Sequence, residues 1–310
     1  MTREDYYYPS TDRIHMIHAS IWKPSDARII GVLQISHGME EYILRYHAFA
    51  AFLTAYGIVV AGNDHLGHGD SVADTSELGY ICTGAASAVV VSDLHKLTLE
   101  MKNRFPNVPY FLMGHSMGSF LARRYIMNYG QELTGAIIMG TGNQAPAVVA
   151  AGRALLGVIG ALKGEHYKSA FANQLMFGTY NAQIKQPKAE YDWLSRDERI
   201  VEQYIQDEKA GFGFTINGLK MLLSTIQYVE KASNIGKCPK HLPLLMLSGE
   251  ADPVGNYGKD VRRAYAAFRK AGVVDIQLKL YPDCRHELVN ETNKEEIYGD
   301  ILKWIQSHIL

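Results

Sequence analysis

Short, continuously apolar runs recur along this chain with amphipathic stretches between them, and few folds accommodate that rhythm. Ala27–Gly38 ("ARIIGVLQISHG"), Gly57–Asp64 ("GIVVAGND"), Val108–Gly114 ("VPYFLMG") and Gly135–Gly140 ("GAIIMG") are apolar through their centres. A strand that is apolar on both faces must be covered on both, which is the condition of a mostly parallel sheet between layers of helices. Glu41–Tyr56, Ala85–Arg104 and Met117–Tyr129 have helical periodicity and supply that cover. Arg13–Trp22 ("RIHMIHASIW") alternates polar and apolar, so it reads as an early antiparallel strand.

After Gly142 the rhythm breaks. No segment from Asn143 to Lys240 reads as a strand, although the stretch is rich in aromatics: Tyr167, Phe171, Phe177, Tyr180, Tyr191, Trp193, Tyr204, Phe212, Phe214 and Tyr228. Strand character returns at Leu242–Glu250 and Asp275–Pro282, and the chain closes with a helical pattern over Glu291–Ile309. The simplest organisation is an α/β core made of residues 1–142 and 241–310, with a helical cap inserted at 143–240 as a lid. Within it, Ala145–Leu162 ("APAVVAAGRALLGVIGAL") approaches membrane-spanning length. Arg153 at its middle, Pro146 and its glycines favour a buried or surface-lying helix instead.

Composition narrows the function classes. The chain has 310 residues, 47% hydrophobic and 20% charged, with a net charge of −1, so no basic field marks it for nucleic acid. Cys82, Cys238 and Cys284 are neither a disulfide framework nor a zinc pattern, and they suit a reducing compartment. The start, "MTREDYYYPS", lacks the basic and apolar regions of a signal peptide, so a cytoplasmic location is expected. There is no H-E-x-x-H, C-x-x-C or G-x-G-x-x-G in a suitable context, so neither metal nor cofactor is expected. Oligomeric state is left open.

In open α/β sheets ligands bind beyond the carboxyl ends of the strands. The polar residues found there are His37-Gly38-Met39, Asp64-His65, Ser116, Asp252 and His286. Ser116 lies in "YFLMGHSMGS" and fits G-x-S-x-G between a buried strand and the helix-forming "FLARRYIMNY". That context makes a nucleophile elbow, in which a sharp turn lifts the hydroxyl clear of the sheet and a Cβ on either glycine would crowd it. A plain glycine turn is the alternative. A serine hydroxyl needs a base to take its proton and an acid to orient that base. Asp252 ("GEADPVG") and His286 ("CRHELVNE") follow in the order such sheets carry them. Asp252 before Pro253 also suits a helix N-cap, and the two roles are compatible. Glu250 is the neighbouring carboxylate, nearer the strand. His115, His37, His65 and His68 are explained by packing and local hydrogen bonding, and Cys284 is read as a buried, inert thiol. Charge developing on a carbonyl oxygen calls for two backbone N–H donors, assigned here to Met39 and Met117. Glu41 either braces the Met39 loop or is a solvated first-turn carboxylate.

With these residues in place, the chain resembles the monoacylglycerol lipase and bacterial lysophospholipase branch of the α/β-hydrolases. The matching pieces are "SHGMEEYILRYHAFAAFLTAYGIVVAGNDHLGHGDS" (Ser36–Ser71), "LMGHSMGS" (Leu112–Ser119), "LSGEADPVG" (Leu247–Gly255) and "RHELVNE" (Arg285–Glu291). Ser119 departs from the further glycine such enzymes often carry there. The resemblance implies the α/β-hydrolase fold, a mostly parallel twisted sheet flanked by helices under a cap. It also implies a serine hydrolase of acyl esters, monoacylglycerol or lysophospholipid in type, working through an acyl-enzyme. Ser116 would be the nucleophile, Asp252 the orienter, His286 the base, and Met39 and Met117 the oxyanion hole. The expected partner is a small-molecule acyl ester, with transient membrane-surface contact through the cap. A short-chain carboxylesterase, an aminopeptidase-like amide hydrolase using Glu165, Glu190 or Asp192 to hold an amine, and a non-catalytic ligand-binding relative stay open.

Overall fold

The computed structural model describes residues 1–309. Eight strands form one sheet in the order β1-β2-β4-β3-β5-β6-β7-β8. These are β1 (Thr2–Pro9), β2 (Met16–Lys23), β3 (Gly31–Ser36), β4 (Ile58–Asn63), β5 (Tyr110–His115), β6 (Gly135–Met139), β7 (Leu244–Gly249) and β8 (Ile276–Tyr281). β1 and β2 pair antiparallel and β2 joins β4 antiparallel, while every pairing from β4 through β3 to β8 is parallel.

The apolar runs are buried on both faces, and their side chains alternate between two cores. In β5, Tyr110 and Leu112 face α2 (Ala86–Arg104), α3 (Met117–Tyr129) and α9 (Lys259–Lys270). Phe111 and Met113 face α1 (His47–Thr54) and α10 (Lys294–Ser307), where Phe49, Leu53, Ile301 and Trp304 pack. Period-2 alternation with apolar residues at every position is what a two-sided sheet demands. Strand order reverses at β3, which has β4 on one side and β5 on the other, so the crevice for a ligand opens at the carboxyl ends of β3 and β5.

β1 lies outside the sequence reading. Three charged residues (Arg3, Glu4, Asp5) precede three tyrosines along it, and Tyr8 is buried with its hydroxyl donating to the Asp93 carbonyl at 2.9 Å, while Tyr7 stays 52% exposed. An edge strand with one wet face has too little apolar content to stand out beside the central runs.

Between β6 and β7 lie α4 (Pro146–Lys163), α5 (Ala170–Phe177), α6 (Glu198–Gln206), α7 (Ile216–Val229) and α8 (Ala232–Ile235), with no strand among the described residues. α7 packs on α2, α3 and α4. α4 buries only Val149, Leu156 and Gly160, and it turns Val148, Val158 and Leu162 outward. It is long and apolar enough by length and composition to cross a membrane, yet here it lies on the surface against α7. The aromatics of this segment divide: Tyr191, Trp193 and Tyr204 form a small core with Leu194 and Ala210, whereas Tyr167 and Phe171 are exposed.

Candidate active site

Ser116 sits between β5 and α3 with φ 53° and ψ −121°, a region that L side chains rarely occupy. The turn closes so tightly that a Cβ on Gly114 would lie 2.2 Å from the Gly118 carbonyl oxygen, and one on Gly118 would lie 2.0 Å from that of Ser36. Both flanking glycines are therefore required by contact distance. The Ser116 N–H donates to the Met139 carbonyl at 3.0 Å, and the Ser119 hydroxyl donates to the Ser116 carbonyl at 2.6 Å. A serine at position 119 thus closes the first turn of α3.

His286 and Asp252 are both buried and touch each other. Nδ1 of His286 is 3.0 Å from each Asp252 carboxylate oxygen. Asp252 also accepts the Val254 N–H at 2.9 Å. It is not a helix N-cap, because α9 begins later, with Gly258 in that position. Glu250 points to solvent. The other ring nitrogen of His286, Nε2, is buried and has no hydrogen-bond partner among the described residues. Gly140, at φ 60°, brings the ring close: a Cβ there would lie 3.1 Å from His286 Cε1. The Ser116 backbone is tied to Met139 and the His286 ring packs on Gly140, so both residues border the end of β6.

From the other side Trp193 lies 5.1 Å from the His286 ring, centroid to centroid, and its carbonyl accepts the His286 N–H at 3.3 Å. Tyr180 packs on Trp193 at 4.8 Å. Burial and the nearby Asp252 carboxylate push its phenol up, beyond the ordinary range for tyrosine. The segment after β6 therefore covers the histidine.

Glu41 is 3% exposed and braces the loop after β3. Its Oε1 accepts the Gly38 N–H at 2.5 Å, the Tyr46 hydroxyl at 2.9 Å and His115 Nδ1 at 3.1 Å, and its Oε2 accepts from Arg45 at 3.2 Å. Burial alone would raise the Glu41 carboxyl, but His115 and Arg45 hold it well below the usual range. His115 is correspondingly raised: burial opposes its charge and Glu41 prevails. The far nitrogen of His115 lies 3.3 Å from the His286 carbonyl, so the ring next to Ser116 links the loop after β3 to His286 as a structural member. Neither the Met39 N–H nor the Met117 N–H finds an acceptor among the described residues.

One connection had no sequence signal. Arg45 forks onto Glu287, the residue after His286, at 2.6 and 2.8 Å. Burial opposes the Arg45 charge, and Glu287 with Glu41 more than offsets it. A pair separated by this much chain leaves no spacing to read.

His37, His65 and His68 are buried together, and burial lowers the pKa of all three. His37, His65 and His68 stack within 4.2 to 6.2 Å, and burial drives His68 down to about 3. Asp64 accepts the Ile43 and Asp70 N–H groups at 2.8 Å, and bonds His18 at 2.8 Å. His18, Asp64 and Asp70 are near enough to hold a cation, but each Asp64 oxygen is already taken by these bonds. Glu165 pairs with Lys220, and the Asp192 carboxylate accepts the Lys188 N–H at 2.6 Å. Cys284 is buried, and burial pushes its thiol up to about 11, which makes it inert at neutral pH.

The family model for serine aminopeptidase, S33 (Hydrolase_4) matches residues 27–293 of the chain. Similarity extends to a monoacylglycerol lipase of Mycolicibacterium smegmatis, 25% identical with 99% of each chain covered. A monoglyceride lipase homolog of monkeypox virus is 27% identical over 94% of this chain and 95% of its own. Among solved structures, a thermostable carboxyl esterase from Bacillus coagulans, in complex with glycerol, superposes with a TM-score of 0.92 at 27% identity over the full length of both chains.

Proposed function

The chain belongs to the Hydrolase_4 family, serine aminopeptidase S33, as an α/β-hydrolase of the monoacylglycerol lipase type, and on that footing we propose that it hydrolyses carboxylic esters of acyl chains through an acyl-enzyme. Its relatives support a serine ester hydrolase, and monoacylglycerol-type esters are the substrate class their names suggest.

The observation that carries the mechanism is the state of His286. One nitrogen is held by Asp252, and the other is bare at the corner where the strained Ser116 emerges. Asp252 fixes the tautomer with the proton on Nδ1 and stabilises the imidazolium that forms. Nε2 then takes the Ser116 proton as Oγ attacks the ester carbonyl. The tetrahedral oxyanion is received by the Met39 and Met117 N–H groups, each worth roughly 3–4 kcal/mol in the barrier. His286 returns the proton to the departing alcohol. It next deprotonates water, which releases the acid and restores Ser116.

Residues 143–240 act as the cap over a core of 1–142 and 241–310, with Trp193 and Tyr180 walling the site in apolar surface suited to an acyl chain. The outward Val148, Val158 and Leu162 of α4 rest on lipid and deliver membrane-dissolved substrate. Val158→Asp with Leu162→Asp should then co-sediment less with phosphatidylcholine vesicles than wild type, and equal pelleting refutes this contact. The three buried, unpaired cysteines fit a cytoplasmic enzyme.

A fluorophosphonate should label the wild type and not Ser116→Ala. Absence of labelling in the wild type would leave a ligand-binding relative. A panel of glyceryl, lysophosphatidyl and p-nitrophenyl esters of graded length should then show a medium- to long-chain optimum. A short-chain optimum makes the protein a general carboxylesterase.

A further inference from the structure

Gly38 stands between two peptide planes, and each is gripped by a different buried side chain. The plane joining His37 to Gly38 donates its N–H to Glu41. The plane joining Gly38 to Met39 has its carbonyl oxygen 2.7 Å from His37 Nδ1. A trans peptide points its N–H opposite to its C=O. Whatever holds the Gly38 oxygen therefore also aims the Met39 N–H.

The other side of the His37 ring settles which nitrogen carries the proton. Nε2 accepts the backbone N–H of His65 at 2.9 Å, so it must present a lone pair. The proton then resides on Nδ1 and is donated to the Gly38 carbonyl. The ring has no room to turn, since His65 lies 4.2 Å and His68 5.1 Å from it, centroid to centroid. Burial holds it neutral against the pull of the Glu41 and Asp64 carboxylates. Without this grip the plane is free to rotate, because a glycine has no Cβ to oppose the flip.

We infer that His37 is a positioning residue of the oxyanion hole: its Nδ1–H, fixed in that tautomer by the His65 backbone, clamps the Gly38 carbonyl and so directs the Met39 N–H at the reacting oxygen. This rests on the reading of Met39 as an oxyanion donor given above. His37 touches no reacting atom and acts through the peptide it orients.

Two substitutions separate this role from packing. Asparagine places its amide nitrogen near the position of Nδ1, so His37→Asn keeps a donor for Gly38. Glutamine reaches the position of Nε2, so His37→Gln keeps an acceptor for His65 and loses the clamp. With a soluble p-nitrophenyl ester, and after normalising to folded protein by circular dichroism, H37Q should lose roughly 10²-fold in kcat, the lower end for one oxyanion donor. Its KM should stay within about threefold, because the donor acts mainly in the transition state. H37N should recover to within tenfold of wild type, and fluorophosphonate labelling rates should follow the same order. Equal kcat for the two variants, whether both high or both low, overturns the inference. If neither variant folds, a proton–nitrogen spectrum of histidine-labelled wild type decides: Nδ1 protonated and Nε2 bare supports the clamp, and the reverse overturns it. A wild type that neither turns over esters nor labels rejects the hydrolase reading itself, an outcome distinct from both.

Discussion

Glu41→Gln changes one charge and almost no volume, and it probes the brace beneath the oxyanion loop. Three donors converge on Oε1, from Gly38, Tyr46 and His115, so the amide oxygen of glutamine takes that place. The amide NH2 then faces the Arg45 guanidinium, a donor against a donor, where Oε2 had accepted at 3.2 Å. One charge-assisted hydrogen bond is lost, about 1.5–3 kcal/mol, and His115 keeps only a neutral acceptor. Arg45 remains paired with Glu287, which caps the penalty. A net destabilisation of about 2–4 kcal/mol follows, measured as the shift in a urea unfolding midpoint at constant slope. The sign with pH is fixed by two opposed groups. Glu41 is depressed from 4.5, so its contribution is present above that value and disappears as pH falls through the lowered one. His115 is raised from 6.5, so its contribution is complete below 6.5 and disappears as pH rises through the raised one. The gap between wild type and variant should therefore be widest between about pH 5 and 6.5 and narrow on either side. Because the loop loses its charged anchor at Gly38, kcat should fall about tenfold at unchanged KM. A stability difference below about 0.5 kcal/mol within that window, with kcat within twofold, refutes the brace.

Asp252→Asn presents an NH2 to His286 Nδ1 and selects the wrong tautomer. Ester kcat should drop about 10⁴-fold without loss of fold, and a drop under tenfold counts against the triad. Glu40 is 6% exposed, and burial raises its carboxyl to about 7 from 4.5. The folded state therefore binds the proton more tightly than the unfolded one, and stability declines as pH rises from about 4.5 to 7. Glu40→Gln should be neutral in stability at pH 4.5 and gain up to about 3 kcal/mol at pH 8, as read by urea unfolding; an equal effect at both pH values refutes it. Gly118→Ala drives a Cβ to 2.0 Å from the Ser36 and 2.4 Å from the His37 carbonyl oxygens, where no flexible side chain can yield. It should destabilise by about 3 kcal/mol or more, seen as a lost or much lower thermal transition, whereas near-wild-type stability would show that the elbow relaxes.

The two-sided burial of the central strands was legible because those strands are apolar throughout, a pattern with few other solutions. The pairing of Asp252 with His286 was legible because each follows the end of a strand, and strand ends converge at one edge of a parallel sheet. β1 was not, since a run of charges followed by tyrosines resembles a polar terminus until β2 is there to pair with it. Glu41 allowed two readings, a brace or a solvated carboxylate. Only the folded loop, with Gly38, Tyr46 and His115 all converging on one oxygen, selects the first. Arg45 and Glu287 belong to the same class of difficulty. Long-range ion pairs have no periodicity, and their partners become neighbours only after the sheet has formed.

That pair also shows how the two halves of the site are held at a fixed separation. The proposed oxyanion donors come from the loop after β3 and the start of α3, while the proposed base comes from the loop after β8. Arg45 follows the first loop closely, and Glu287 is adjacent to His286, so the forked contact ties the two loops together. A buried ion pair is a poor source of stability, since removing both charges from water costs several kcal/mol per ion before any attraction is recovered. Its rigid bidentate geometry is better suited to fixing a distance. His115 makes a second, parallel tie, from Glu41 to the His286 carbonyl. A base that must reach the serine hydroxyl, and donors that must reach an oxygen on the same carbon, tolerate little relative drift: about 1 Å of misplacement can cost 10²-fold in rate. These two polar ties, with Trp193 packed on the His286 ring and Tyr180 on Trp193, meet that requirement.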